Sequence, residues 1–323
     1  MEYRTLGRTG LSISAVGVGG GGIGQVWGPT TDEECIRTVQ TAYELGVNFF
    51  DVAPSYGDGK AEEILGQAGR PFRQQVLYAT KVRVSPGQRG NIDGAIRASL
   101  EASLRRLQTD HVDLLQLHSR VRQERNPDHA GSVSLTHVLG PGGILETMQE
   151  LRREGKVRFF GFTGYGDYDG VLGVMESGGF DTVQAQYDLL HQASVGKRPV
   201  VVADWPIPSH VIPLAVEFGL GVIGIRALAA GALSEALDRP GDAEKQEDFR
   251  KARRLRFLVH GPYRTLSQAA MRFALMNEGI ATVVPGVKNV AELEEAVGCL
   301  DLPPIPAEDL ARIDELYARG FTA

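Results

Sequence analysis

Short apolar runs and stretches of helical periodicity alternate along this chain eight times, and that alternation restricts its fold more than any other feature. The first unit joins an apolar run at 15–19 to a helix in which Ile36, Val39 and Tyr43 recur at helical spacing until Gly46. Thr31-Asp32-Glu33-Glu34 at its start reads as a capping box. The next three units pair 48–53 with 60–68, 76–82 with a helix whose Ile92, Ile96, Leu100, Leu104 and Leu107 share a face, and 112–118 with 144–154. The last four pair 158–163 with 168–177, 182–187 with 209–218, 222–226 with 267–277, and 282–285 with 290–297. Strands apolar on both faces, each followed by a helix, belong to a parallel sheet covered by helices. Eight such units with no break in composition predict a closed (β/α)8 TIM barrel, one domain over residues 1–323, in preference to an open doubly wound sheet. Residues 3–14 read as a hairpin ahead of the barrel, and 307–318 as a helix beyond the repeat.

Long insertions follow the fourth, sixth and seventh strands, at 120–143, 188–208 and 227–265. All three fall at the C-terminal ends of strands, where a barrel carries its site, and would wall a substrate pocket. A net charge of −6 and a pI near 5.7 argue against a nucleic-acid or anionic-membrane partner. The basic run at 250–256 has Glu244, Glu247 and Asp248 beside it and reads as a solvated helix face. Cys35 and Cys299 are too few for a metal cluster or a redox pair, and His129 and His137 have no acid or cysteine at ligand spacing, so no metal is expected. With no secretory start and no run approaching the roughly 18 apolar residues of a membrane span, a soluble cytoplasmic protein is expected.

Three consecutive strands end in residues that a buried strand seldom carries. Phe49-Phe50-Asp51 runs into a loop holding Tyr56, Tyr78-Ala79-Thr80 runs into Lys81, and Leu114-Leu115-Gln116-Leu117 runs into His118. A charge closing an apolar strand is costly unless paired, and adjacent strands bring these side chains to one rim. A tyrosine is a weak acid, with an unperturbed pKa of about 10. A lysine beside it favours the phenolate, an aspartate keeps that lysine charged and oriented, and a neutral histidine donates a hydrogen bond to a carbonyl oxygen. Together they suit protonation of an alkoxide as hydride reaches carbon, or the reverse oxidation. Taken singly, Asp51–Lys81 is equally an ordinary buried ion pair, Tyr56 a loop residue and His118 a core histidine; their coincidence favours chemistry.

Asp51-Val-Ala-Pro-Ser-Tyr56-Gly, Ala79-Thr80-Lys81-Val82, Asp113-Leu-Leu-Gln-Leu-His118 and Pro285-Gly286-Val-Lys288-Asn289 together resemble the aldo-keto reductase family over essentially the whole chain. The resemblance implies a barrel that uses NAD(P)H without a Rossmann domain, with Tyr56 as general acid/base, Lys81 and Asp51 tuning it, and His118 orienting a small carbonyl or alcohol substrate. It implies Gln184 and Thr163 at the nicotinamide amide, and Glu295 at adenine. Two positions depart from the family pattern: Gly164 stands where an amide is usual, and Ile225 where an aromatic stacks on the nicotinamide. Arg226 and Leu228 follow, Arg226 suited to pyrophosphate or an anionic substrate. Lys288 is placed to pair with a 2′-phosphate and leans the choice toward NADP(H) over NAD(H), while Glu292 would repel that phosphate.

Gly19-Gly20-Gly21-Gly22-Ile23-Gly24 literally fits a dinucleotide-binding fingerprint, yet no helix opens at its third glycine, so Gly20 and Gly21 are expected instead to let backbone approach a cofactor. Trp27 is expected to line the pocket, and His191 and Trp205 to contact substrate. Two other readings compete with an oxidoreductase. One is a nicotinamide-binding regulatory or sensor barrel with vestigial turnover, motivated by Gly164 and Ile225; the other is redox-neutral enolisation of a carbonyl at the same Tyr-Lys-His site.

Overall fold

Eight parallel strands pair in chain order and meet again at their ends. They are Val18–Gly19, Phe49–Asp51, Leu77–Val82, Val112–Leu117, Val157–Thr163, Thr182–Gln186, Gly221–Ile225 and Thr282–Val283. Bridges Val16–Val283 and Gly19–Gly286, with Gly17 N donating to Val283 O at 2.9 Å and Gly19 N to Pro285 O at 2.8 Å, join the first strand to the eighth. Closure leaves the sheet no open edge, as the eightfold repeat predicts. This computed structural model describes residues 1–124, 131–196, 201–202, 205–206, 208–234 and 243–321; of 201–202, 205–206 and 243–245 it describes the backbone alone.

The barrel interior changes character along its axis. At the N-terminal end Phe49, Ala79, Leu114, Ile223 and Val284 pack with Leu6 and Ile13 of the antiparallel hairpin formed by Tyr3–Thr5 and Ser12–Ser14. The hairpin therefore plugs the bottom. Its turn needs Gly7, whose φ is +49° and where a Cβ would lie 2.1 Å from Gly221 N. One turn of the pleat further up, the inward positions are Asp51, Lys81, Gln116 and Gln184, all buried and all polar. An apolar floor under a polar layer puts the chemistry at the C-terminal mouth.

Outside the sheet, the helices bury the stripes that their periodicity implies: Ile92, Ile96, Leu100, Leu104 and Leu107 of Ile92–Leu107 all face the larger core. Helix Asp32–Glu44 is capped by Thr31, which accepts from Glu34 N at 3.2 Å. The expected capping box is only half made, because the Glu34 carboxylate turns away to Arg37 and to Val290 N. In the insertions, Arg120–Arg122 pairs with Ser132–Ser134 ahead of helix Leu135–Leu139, and 227–265 contributes helix Ala243–Arg254. In the basic run Arg250, Arg253, Arg254 and Arg256 are exposed, the solvated face expected, and Arg250 and Lys251 pair with Glu247. His137 bonds the Ser134 cap of its own helix, and His129 lies outside the described residues. Cys35 and Cys299 are buried and free, and no described helix is long and apolar enough to cross a membrane.

Candidate active site

Asp51 closes the second strand with its side chain inward, two residues after inward Phe49. Its carboxylate accepts three hydrogen bonds: from Lys81 Nζ at 2.7 Å, from Gln116 Nε2 at 2.7 Å and from Gln184 Nε2 at 2.9 Å. Strands two, three, four and six thus converge on one buried anion, which is affordable because every oxygen is hydrogen-bonded. Lys81 Nζ also donates to Val52 O at 3.0 Å and lies 4.7 Å from the centroid of the Tyr56 ring.

Tyr56 is held over that lysine by a tight loop. Gly57, Asp58 and Gly59 all have positive φ before helix Lys60–Gly69 begins, and a Cβ at Gly57 would lie 2.1 Å from Gly24 O. The loop is pressed against the glycine-rich segment, so Tyr56 has little freedom to swing out. His118, one residue past the fourth strand, packs edge-on to it with ring centroids 6.2 Å apart and planes at 86°.

The charges follow from this packing. Burial works against the Lys81 ammonium, but Asp51 and Tyr56 outweigh it and the pKa is raised, so Lys81 stays charged. His118 is held well below its ordinary value by burial, with Lys81 and Arg83 adding to the effect, so the ring is neutral near pH 7. A phenol therefore sits between a fixed cation and a neutral hydrogen-bond donor, open to the barrel mouth. Gln116 was not singled out by its sequence, although its position two residues before His118 puts both on one face.

Positions expected to serve a cofactor fall around the rest of the mouth. Thr163 is buried, and its Oγ1 has no hydrogen-bond partner among the described residues. A Cβ at Gly164 would meet Val183 and Val211 on the outer, helix-covered side, so a side chain there would point away from the mouth. Gln184 commits its Nε2 to Asp51. After strand seven, Arg226, Ala229 and Ala230 all take positive φ, a strained turn; Leu228 opens its 3-10 turn, and Arg226 is exposed at the rim. Trp27 is 40% exposed and lies over Gly21 and Gly286, where added Cβ atoms would come within 2.4 and 2.7 Å of its Nε1. Gly20 packs equally closely on Val52. These glycines make room for protein packing at the mouth.

At the start of the last barrel helix, Val290–Gly298, three backbone donors are already taken. Asn289 Oδ1 accepts from Glu292 N at 2.8 Å, Glu292 Oε2 from Lys288 N at 3.1 Å, and Glu34 Oε1 from Val290 N at 3.2 Å. Lys288 Nζ pairs with Glu292 at 3.3 Å. The Val290 N–H, ahead of Arg37, holds the Glu34 carboxyl below its usual range, so it is ionised at neutral pH. Glu295 accepts from the Thr265 hydroxyl, which caps the preceding helix.

His191 is only 3% exposed and does not line open space. Its Nδ1 contacts Asp188 at 3.0 Å and its Nε2 contacts Asp248 at 3.4 Å, so the reading of His191 as a substrate contact gives way to a buried charge cluster. The Trp205 side chain lies outside the described residues.

A sequence model of the aldo/keto reductase family matches residues 15–318. An L-galactose dehydrogenase from Arabidopsis thaliana is 30% identical, the alignment covering 93% of this chain and 88% of that protein. An NADH-specific methylglyoxal reductase from Escherichia coli is 25% identical over 94% of each chain. An aldo/keto reductase from Klebsiella pneumoniae, crystallised with NADP and acetate, superposes with a TM-score of 0.70 at 22% identity, covering 98% of this chain and 96% of that one.

Proposed function

The chain belongs to the aldo/keto reductase family and is an oxidoreductase of that family, and from that premise we propose that residues 1–323 act as one domain that interconverts a small carbonyl compound and its alcohol, with NAD(H) preferred to NADP(H). The observation that carries the reading is the cluster at the mouth: a phenol held beside a charged, Asp51-bound lysine and against a neutral histidine. When bound, a reduced nicotinamide supplies the hydride to the carbonyl carbon. Tyr56 Oη gives its proton to the carbonyl oxygen, Lys81 stabilises the phenolate left behind, and His118 orients the oxygen by hydrogen bonding. Asp51, Gln116 and Gln184 keep Lys81 charged and still. In the oxidation direction the same phenolate takes the proton from the alcohol.

Thr163 Oγ1, buried without a partner among the described residues, fits a carboxamide, and the exposed Arg226 at the rim is a cation suited to a pyrophosphate, which supports a nicotinamide dinucleotide at this mouth. NAD(H) is favoured by the last helix. The donors that would receive a 2′-phosphate are occupied by the carboxylates of Glu34 and Glu292, and Lys288 is neutralised by Glu292. Sequence alone leans the other way on the strength of Lys288, because nothing in it brings Glu34 to Val290, 256 residues away.

Side-by-side titration should therefore show tighter binding of NADH than of NADPH. Glu34→Gln with Glu292→Gln should shift the ratio of kcat/KM values toward NADPH on the order of tenfold, by removing two repulsions and freeing Lys288. An unchanged ratio would refute the electrostatic account. Sustained turnover, many product molecules per active site on an aldehyde, ketone or sugar screen, separates an enzyme from a sensor barrel, and oxidation of NADH matched to alcohol formed separates it from enolisation.

A further inference from the structure

Lys81 and His118 are each followed, two positions on, by an arginine that the proton transfer does not use. Along the third strand Ala79 packs in the barrel floor and Lys81 bonds Asp51 inside, whereas Val82 and Val84 belong to the core outside the sheet. Alternation therefore returns Arg83 to the inward side, one layer above Lys81. The pattern is held past the strand end. His118 N donates to Val82 O at 2.8 Å and Val84 N to Ser119 Oγ at 3.1 Å, with Val84 and Ser119 both buried. The ladder pairs Val82 with Leu117, so Arg83 comes level with His118 across the rim.

Strand four repeats the arrangement. Leu117 and Val121 belong to the outer core, and Arg120 falls on the other side with His118. The pair stands above the residues that hold the carbonyl, Arg83 about 7 Å along the strand from Lys81. Arg120 is engaged within the protein, whereas the Arg83 guanidinium is exposed and has neither a hydrogen bond nor an ion pair among the described residues. Asp51 cannot neutralise it, because Lys81, Gln116 and Gln184 occupy that carboxylate. His118 feels the cation: burial first, then Lys81 and Arg83, keep its ring neutral. In a chain of net charge −6, a positive rim directly above the catalytic residues attracts and orients anions. A guanidinium offers a carboxylate or a phosphate two parallel donors, a fit that a lone ammonium lacks.

We propose that the substrate carries an anionic group, a carboxylate or a phosphate, a few bonds from its carbonyl, and that Arg83 receives this group while Tyr56 and His118 hold the carbonyl oxygen. The proposal rests on the carbonyl–alcohol reading above and deepens it by naming the substrate class. It gives Arg83 a binding role, separate from the proton transfer at Tyr56 and from the cofactor side at Thr163 and Arg226.

The test uses the full chain with NADH and two matched pairs of probes, succinate semialdehyde with its methyl ester and glycolaldehyde phosphate with glycolaldehyde. In at least one pair the anionic member should have the higher kcat/KM by about tenfold, and a preference confined to one pair supports the proposal and names the anion. Arg83→Gln should cut that preference about tenfold, mainly through KM, and Arg83→Lys, which keeps the charge but not the fork, should recover part of it. Rising ionic strength should erode the preference in the unaltered protein. Equal or higher efficiency on the neutral member of both pairs would overturn the proposal. So would a preference that survives Arg83→Gln, or a loss on anionic and neutral members alike, which would mark a structural role. Should no compound of the wider carbonyl and sugar screen be turned over with NADH or NADPH, the reading beneath the proposal would fall and the proposal with it, a result distinct from the variant outcomes.

Discussion

Replacing Tyr56 with phenylalanine is expected to lower kcat for carbonyl reduction by a factor of about 10²–10⁴, the usual worth of a positioned general acid, with the Kd for NADH changed less than about twofold. Phenylalanine keeps the ring that lies over Lys81 and against His118, so the loop at Pro54–Gly59 has no reason to move. Only the transferable proton is gone. Lys81 is a poorer choice for the same question, because its removal would leave the buried Asp51 carboxylate without its cation and would mix catalysis with stability. Turnover of Tyr56→Phe at the rate of the unaltered enzyme on every accepted substrate would end the assignment of Tyr56 as acid. The pH profile gives a second check. His118 is depressed well below its ordinary pKa by burial and then by Lys81 and Arg83, so it remains neutral as pH falls through about 6.5. The kcat/KM profile of the unaltered enzyme should accordingly show no break there.

The parts of this molecule that were legible from sequence are those set by short-range pattern. Strand and helix periodicity located all eight units within a few residues, because inward and helix-facing positions must be apolar wherever the barrel is sealed. Asp51, Lys81 and His118 stood out for the complementary reason, being charged or polar where the pattern demanded apolar side chains. What stayed hidden depended on contacts between distant segments. Gln116 and Gln184 meet on Asp51 across 65 and 133 residues, and a glutamine inside a strand gives no warning of such a partner. Glu34 looked like half of a capping box, since the spacing to Thr31 is right, yet a backbone donor on the last helix outcompetes the local one.

Removing His191 should weaken the fold, because it breaks a buried charge cluster. Burial alone would lower its pKa, but Asp188, and then Asp248, lift it to about 10, so at neutral pH it is an imidazolium between two carboxylates. Asp188 is fully buried, and His191 is the cation it is paired with; Asp248 belongs to helix Ala243–Arg254 of the strand-seven insertion. The charge thus fastens that insertion to the loop after strand six. His191→Ala strands the Asp188 carboxylate in the interior and should reduce stability by about 3–5 kcal/mol at pH 7, the cost of breaking a buried pair from one side. The pH dependence follows from the direction of the shift. A histidine whose folded pKa is raised contributes fully below its unfolded pKa of about 6.5 and loses that contribution as pH climbs through the folded value near 10. Denaturant unfolding of the two proteins should therefore show a gap that is wide at neutral pH and narrows as pH rises through about 10, with background titration of lysines and tyrosines common to both. A gap of constant width would mean that His191 acts as a neutral packing residue. Proteolysis supplies the structural half of the test: cleavage within residues 227–265 should become faster in His191→Ala than in the unaltered protein, because the insertion helix then has lost the charge that docks it.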